Sequence, residues 1–198
     1  MDFFCYFEFH FSTLDIRQDS RAHAKVFNDM VDVLIESGSE AFPKNYHSLP
    51  EKDQVRILST IKGTVDLSLI SNKDTLKALK TMAAIKTIQH TNGEKAANRY
   101  IISNNQSTLH VMQLYAMLKL VAFNDRLSID IVPLFETVTD LENAPKVMEQ
   151  LSSTDIILPP NDRIFGKKEV DPSKIIYHSM SCNYFFVYWS YLIVKNVS

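Results

Sequence analysis

Phe9–Ser20 reads FHFSTLDIRQDS and Ile129–Thr137 reads IDIVPLFET. In each, an apolar and β-branched run with high strand propensity meets polar and charged residues. Asp15, Arg17, Gln18 and Asp19 close the first run, and Glu136 closes the second. In parallel α/β sheets and barrels, chemistry collects where strands end at their carboxyl side. An arginine and a glutamate at such a place suit an anionic, metal-bound substrate.

Outward from these two stretches the chain alternates strand and helix patterns. Phe7–Ile16 is expected to be a strand. Ser20 is placed to cap a helix in which Phe27, Met30, Val31 and Leu34 recur at i, i+3, i+4 and i+7, with Gly38 as its stop. A loop over Ser39–His47 holds Pro43. Ser48 and Glu51 have capping-box spacing ahead of a short helix with Val55, Leu58 and Ile61 on one stripe. A longer helix is expected from Lys73 to His90, ended by Asn92-Gly93. Arg99–Ser103 (RYIIS) reads as a short buried strand broken by Asn104 and Asn105. Ser107 then caps a helix striped by Leu109, Met112, Tyr115 and Leu118. Ile129–Phe135 is the third strand. Pro145 sits poorly inside a helix, so the last helix is expected to start near Asn143, with Val147, Met148 and Leu151 facing inward.

The order β–α–α–α–β–α–β–α predicts an α/β fold, mainly helical by content, with parallel strands joined by helical crossovers. Three strands leave edges that a larger sheet or barrel would cover. The 198 residues suffice for one domain with a core, and 45% hydrophobic against 22% charged residues is a globular balance. A net charge of −2 gives no electrostatic reason to expect nucleic acid or an anionic membrane as partner. Two cysteines, Cys5 and Cys182, without a CxxC or a His/Cys cluster, fit a reduced cytoplasmic setting and no structural zinc site. The opening MDFFCYFEFHF lacks a basic n-region, and Asp2 and Glu8 argue against a signal peptide. The longest apolar run, Tyr184–Val194 (YFFVYWSYLIV), falls well short of the ~18 residues of a membrane helix.

LDIRQDS, then RYIIS before a helix, then IVPLFET followed by DLENA resemble phosphoenolpyruvate carboxylase in content and order. The resemblance covers roughly Glu8–Leu151. It implies a partial (β/α)8 TIM-type barrel over residues 1–151 and a divergent tail over 152–198. It also implies a cytoplasmic, homotetrameric complete enzyme that joins phosphoenolpyruvate to bicarbonate with Mg2+ or Mn2+, giving oxaloacetate and phosphate. In that enzyme the metal neutralises the phosphate and steadies the enolate, while arginines hold carboxyphosphate so that released CO2 meets the enolate. The family's glycine-rich FSDSxKDGG-like motif, with a second metal-binding aspartate and a lysine, is expected after the Glu136 strand. KIIYHSMSCNYFFVYWSYLIV stands there instead. The GRGG-like mobile loop and the region with the carboxylation histidine have no counterpart in these 198 residues. The resemblance therefore implies a piece of the enzyme, inactive alone.

The resemblance assigns three site residues. Arg17 is the active-site arginine, catalytic and substrate-binding, because a guanidinium presents a rigid fork of donors to carboxylate, phosphate or bicarbonate. Its bland alternative is an ion pair with Asp15 or Asp19. Gln18 is a further substrate-binding residue, and with Asp19 it can also orient Arg17 or cap the helix from Ser20. Glu136 is the metal ligand, since Mg2+ and Mn2+ take one or two carboxylates and complete their shell with water and substrate oxygens. The bland alternative is a capping or salt-bridged glutamate. His10 and His110 read as structural. A second reading of the whole chain is a non-catalytic remnant that serves as a binding or assembly module, motivated by the open strand edges and the aromatic tail.

Overall fold

The computed structural model describes residues 14–152. The expected strand residues Phe7–Thr13, His10, both cysteines and the aromatic run Tyr184–Val194 lie outside them. The described residues form a mixed α/β unit. Its elements are β1 (Asp15–Asp19), α1 (Ser20–Glu36), α2 (Glu51–Ser59), α3 (Lys73–Asn92), β2 (Arg99–Ser103), α4 (Thr108–Val121), β3 (Asp130–Pro133) and α5 (Val138–Ser152). The three strands are parallel, in the order β1-β2-β3. Arg17 is in register with Ile101, and Ile101 with Val132.

The side-chain period of two divides the sheet. Ile16, Tyr100, Ile102 and Ile131 pack into the core with the helices. On the opposite face Asp15 and Arg17 are exposed, while Arg99, Ile101, Asp130 and Val132 are half-buried. Arg99 Nε there pairs with Asp15 Oδ1 at 3.0 Å. The core centres on α4, in which every residue from Val111 to Leu120 is buried. A helix apolar nearly all round, here interrupted by the buried Gln113 and Lys119, belongs in an interior, so the stripe read from sequence was too narrow. Phe27, Phe42 and Tyr46 meet edge-on at 5.0–5.9 Å between ring centres and close the core beside α1.

Several boundaries differ from expectation, each for a local reason. The described part of the first strand lies in Asp15–Asp19, so the charged run is the strand itself and not its aftermath. Asp19 caps α1, its side chain accepting from the Arg21 N–H, and Ser20 is the first helical residue. The Ser48–Glu51 capping box does not form. Ser48 donates to the Asn45 carbonyl within a short 3-10 turn, and Pro50 precedes α2 without a side-chain cap. β3 is shorter than Ile129–Phe135, although the Leu134 N–H still reaches the Ile102 carbonyl at 2.8 Å. α5 starts at Val138 and carries Pro145 inside it. A reciprocal cap sets that early start: Asp140 N–H donates to Thr137 Oγ1, and Thr137 N–H to Asp140 Oδ2, both at 3.1 Å. Gly38, at φ +77°, ends α1 as expected, its N–H reaching the Ile35 carbonyl.

Candidate functional site

The carboxyl ends of the three strands bring together residues far apart in the chain. Arg17 Nη2 donates to Glu136 Oε1 at 2.6 Å across 119 positions of sequence. Arg17 projects from β1, on the face away from the helices. Glu136 stands three residues past β3, in the turn into α5. Their side chains are 56% and 38% exposed, so solvent reaches the pair. Neither Asp15 nor Asp19 holds Arg17. Asp15 pairs with Arg99, and Asp19 grips Arg21 through Nε and Nη2 at 2.9 and 2.8 Å.

The second oxygen of Glu136 is held by main chain. Asn104 N–H donates to Glu136 Oε2 at 2.9 Å. Asn104 follows β2 directly and has φ +54°, a left-handed conformation that asparagine tolerates better than most residues. Ser20 Oγ donates to the Asn104 carbonyl at 2.6 Å. The three strand ends are thus joined in one line: Arg17 to Glu136, Glu136 to Asn104, Asn104 to Ser20. Sequence reasoning missed Ser20 and Asn104, because serine before a helical stripe reads as a cap and asparagine after a strand reads as a breaker.

Gln18 is exposed, and its Oε1 accepts from the Asp19 N–H at 2.9 Å, so in this conformation the side chain serves its own strand. Hydrogen bonds from Arg21 hold the Asp19 carboxyl down at about 2. His23, on the first turns of α1, is 2% exposed, and burial lowers it to about 4. Its Nε2 lies 3.0 Å from the Tyr100 hydroxyl, while its Nδ1 is buried with no partner. His110 is lowered by burial too, and its Nδ1 accepts from the Gln106 N–H. His23 is fully buried and His110 half-buried.

Among the described residues no three His, Cys, Asp or Glu side chains cluster as a metal cage. A hard divalent cation needs less from protein, since Mg2+ keeps several waters and often uses a single carboxylate. Glu136 fits that role as one ligand: it is anionic, solvent-accessible and fixed on one oxygen by the Asn104 N–H. Its other oxygen carries Arg17, whose charge opposes a neighbouring cation. Among the described residues no helix is long and apolar enough to cross a membrane.

The family model for phosphoenolpyruvate carboxylase matches residues 2–162, beyond both ends of Glu8–Leu151. The phosphoenolpyruvate carboxylase of a Synechococcus strain is 31% identical over 153 residues, covering 73% of this chain and 14% of that protein. That of Prochlorococcus marinus subsp. pastoris is 31% identical over 157 residues, covering 75% and 15%. A third, from Prochlorococcus marinus strain SARG, is 27% identical over 171 residues, covering 82% and 16%. The chain therefore spans only about one-seventh of the length of the relatives it matches, and with a family match over most of its residues it belongs to the phosphoenolpyruvate carboxylase family.

Proposed function

We propose that this chain carries one side of the active-site rim of a phosphoenolpyruvate carboxylase barrel, with Arg17 and Glu136 as the chemical groups it contributes. The complete enzyme would join phosphoenolpyruvate to bicarbonate, as a cytoplasmic homotetramer. The observation that carries the reading is the 2.6 Å contact between Arg17 and Glu136 at the carboxyl end of a parallel sheet. In (β/α)8 enzymes that end holds the chemistry. Three parallel strands with helices against one face and charged residues on the other have the layering of a barrel segment.

In this reading Arg17 holds the anionic oxygens of phosphoenolpyruvate or carboxyphosphate through its fork of donors. Gln18, the next residue along the same strand end, supplies a further polar group there once its bond to the Asp19 N–H is exchanged. Glu136 is a protein ligand for Mg2+ or Mn2+, which when bound would offset phosphate charge and favour the enolate. Groups that act as a unit lose most of their rate when some are removed. The purified 198-residue chain is therefore expected to release no phosphate from phosphoenolpyruvate with bicarbonate and Mg2+. Turnover above background that disappears in Arg17→Ala would overturn that expectation.

The decisive measurement is Mn2+ binding followed by electron paramagnetic resonance. Weak binding that disappears in Glu136→Gln supports the assignment, because a lone carboxylate leaves most of the shell to water. Binding indifferent to Glu136→Gln overturns it. Tight binding lost in Asp171→Asn would place the ion on another carboxylate.

The exposed side chains along β1, an edge strand among the described residues, favour a second reading: an assembly module that pairs with another polypeptide. Carboxylase activity appearing only when the chain is mixed with a polypeptide bearing the FSDSxKDGG-like motif would distinguish this reading from the first.

A further inference from the structure

We propose that Ser20 is a positioning residue for Glu136, acting through the left-handed Asn104 turn. The bearing of this on metal binding rests on the reading of Glu136 as a ligand; the positioning itself stands on the geometry alone. Ser20 is 0% exposed and opens α1. Its hydroxyl is not needed to cap that helix, because Asp19 already accepts from the Arg21 N–H. It donates instead across the sheet to the Asn104 carbonyl at 2.6 Å. The adjoining Asn104 N–H points at Glu136 Oε2 at 2.9 Å.

A positive φ at a non-glycine residue needs its surroundings to hold it. Ser20 is the side chain that fixes the carbonyl of this residue. The same peptide group is held at its other end, as the Asn105 N–H reaches the Leu134 carbonyl at 3.1 Å. With that group fixed at both ends, the φ of +54° at Asn104 sets the orientation of the preceding peptide, whose N–H, that of Asn104, faces the carboxylate. The result is a carboxylate whose Oε2 is fixed by main chain while Oε1 remains for a cation or a guanidinium. Ser20, which does not touch Glu136, thus helps to set where the carboxylate stands through the Asn104 turn.

The test is hydrogen exchange and the proton shift of the Asn104 amide, read by NMR on the full chain, beside Mn2+ affinity. Ser20→Ala is expected to speed Asn104 exchange by about tenfold, the loss of a bond to a charged acceptor, and to move its shift upfield. The Ile101 and Ile102 amides of β2 should keep their rates. Asn104→Gly keeps the N–H and the positive φ, so it should leave Glu136 held, whereas Asn104→Val should release it. Should Ser20→Ala fail to fold, Ser20→Cys, nearly equal in size with a weaker donor, reads the same amide and should show a smaller change in the same direction. An Asn104 amide unmoved by whichever of these two variants folds overturns the proposal. A shifted amide with unchanged Mn2+ affinity would keep the positioning role and remove Glu136 from the metal.

Discussion

The two faces of the sheet obey different rules. On the helix side Ile16, Tyr100, Ile102 and Ile131 join a core that includes Phe27 and most of central α4. On the other side the register lines up Asp15 with Arg99 and Asp130, and Arg17 with Ile101 and Val132. The first face holds the fold together by removing apolar surface from water. The second carries the exposed charged side chains Asp15 and Arg17 beside half-buried Ile101 and Val132. β1 is the clearest case. Its sequence DIRQD has poor strand propensity, yet it pairs along its whole length with β2. The strand state comes from that partner and from Ile16 beneath, which leaves its charged side chains available for other work.

If this division is right, the largest effect on stability comes from the helix side. Phe27→Ala removes a ring that is fully buried against Phe42 and Tyr46. It should cost about 3–5 kcal/mol, read as a fall in the urea midpoint. A loss no larger than that of Arg17→Ala would erase the contrast between the faces.

Acid sharpens it next. His23 is buried and neutral, and its value of about 4 lies below the ordinary 6.5. The unfolded chain therefore takes up the proton first. The stability of the neutral buried ring is fully present above pH 6.5 and drains away as pH falls toward 4, by roughly 3 kcal/mol in all. Asp19, lowered from 3.8 to about 2, adds a second loss of the same sign between those values. The titratable groups bearing on His23 are Asp19, which favours its protonation, and His110, which opposes it. In His23→Phe the slope of stability against pH between 6.5 and 4 should flatten, although the Tyr100 hydroxyl loses its partner. An unchanged slope would show that the proton goes elsewhere.

A smaller effect tests the boundary between the faces. Asn105 is fully buried with neither atom of its side-chain amide paired, although its backbone N–H is. An unpaired buried amide carries its desolvation cost without return, so Asn105→Leu should raise stability by about 1–2 kcal/mol. A fall in the thermal midpoint would mean that the amide is satisfied in solution.

The sequence was readable where one pattern dominated. The parallel α/β order, the Arg99–Ser103 strand and the placing of Arg17 and Glu136 at one end of the sheet followed from strand propensity, helical periodicity and three motifs in order. Errors arose where two signals competed. Thr137 with Asp140 outweighed Pro145 in starting α5, because a cap acts at the first turn while a proline removes one bond farther on. Ser20 and Asp19 are both capping residues, and only the fold decides which caps and which crosses to Asn104. The partner of Arg17 was equally hidden, since local Asp15 and Asp19 are nearer in sequence than Glu136. Each aspartate is taken by a different arginine.

The smallest effect on stability belongs to the ion pair itself, and it separates the faces most cleanly. Arg17 and Glu136 are substantially exposed, so water and salt screen their attraction. Arg17→Ala should change the urea midpoint by less than about 1 kcal/mol, and less again at high salt. Its effect on a cation should run the other way. Removing a positive charge 2.6 Å from Glu136 Oε1 frees that oxygen and lifts a local repulsion. Mn2+ affinity should rise severalfold in Arg17→Ala, while Glu136→Gln abolishes it. Arg17→Lys keeps the charge without the planar fork and should stay near the parent affinity. Weaker Mn2+ binding in Arg17→Ala would mean that the arginine holds the carboxylate in place for the metal instead of competing with it.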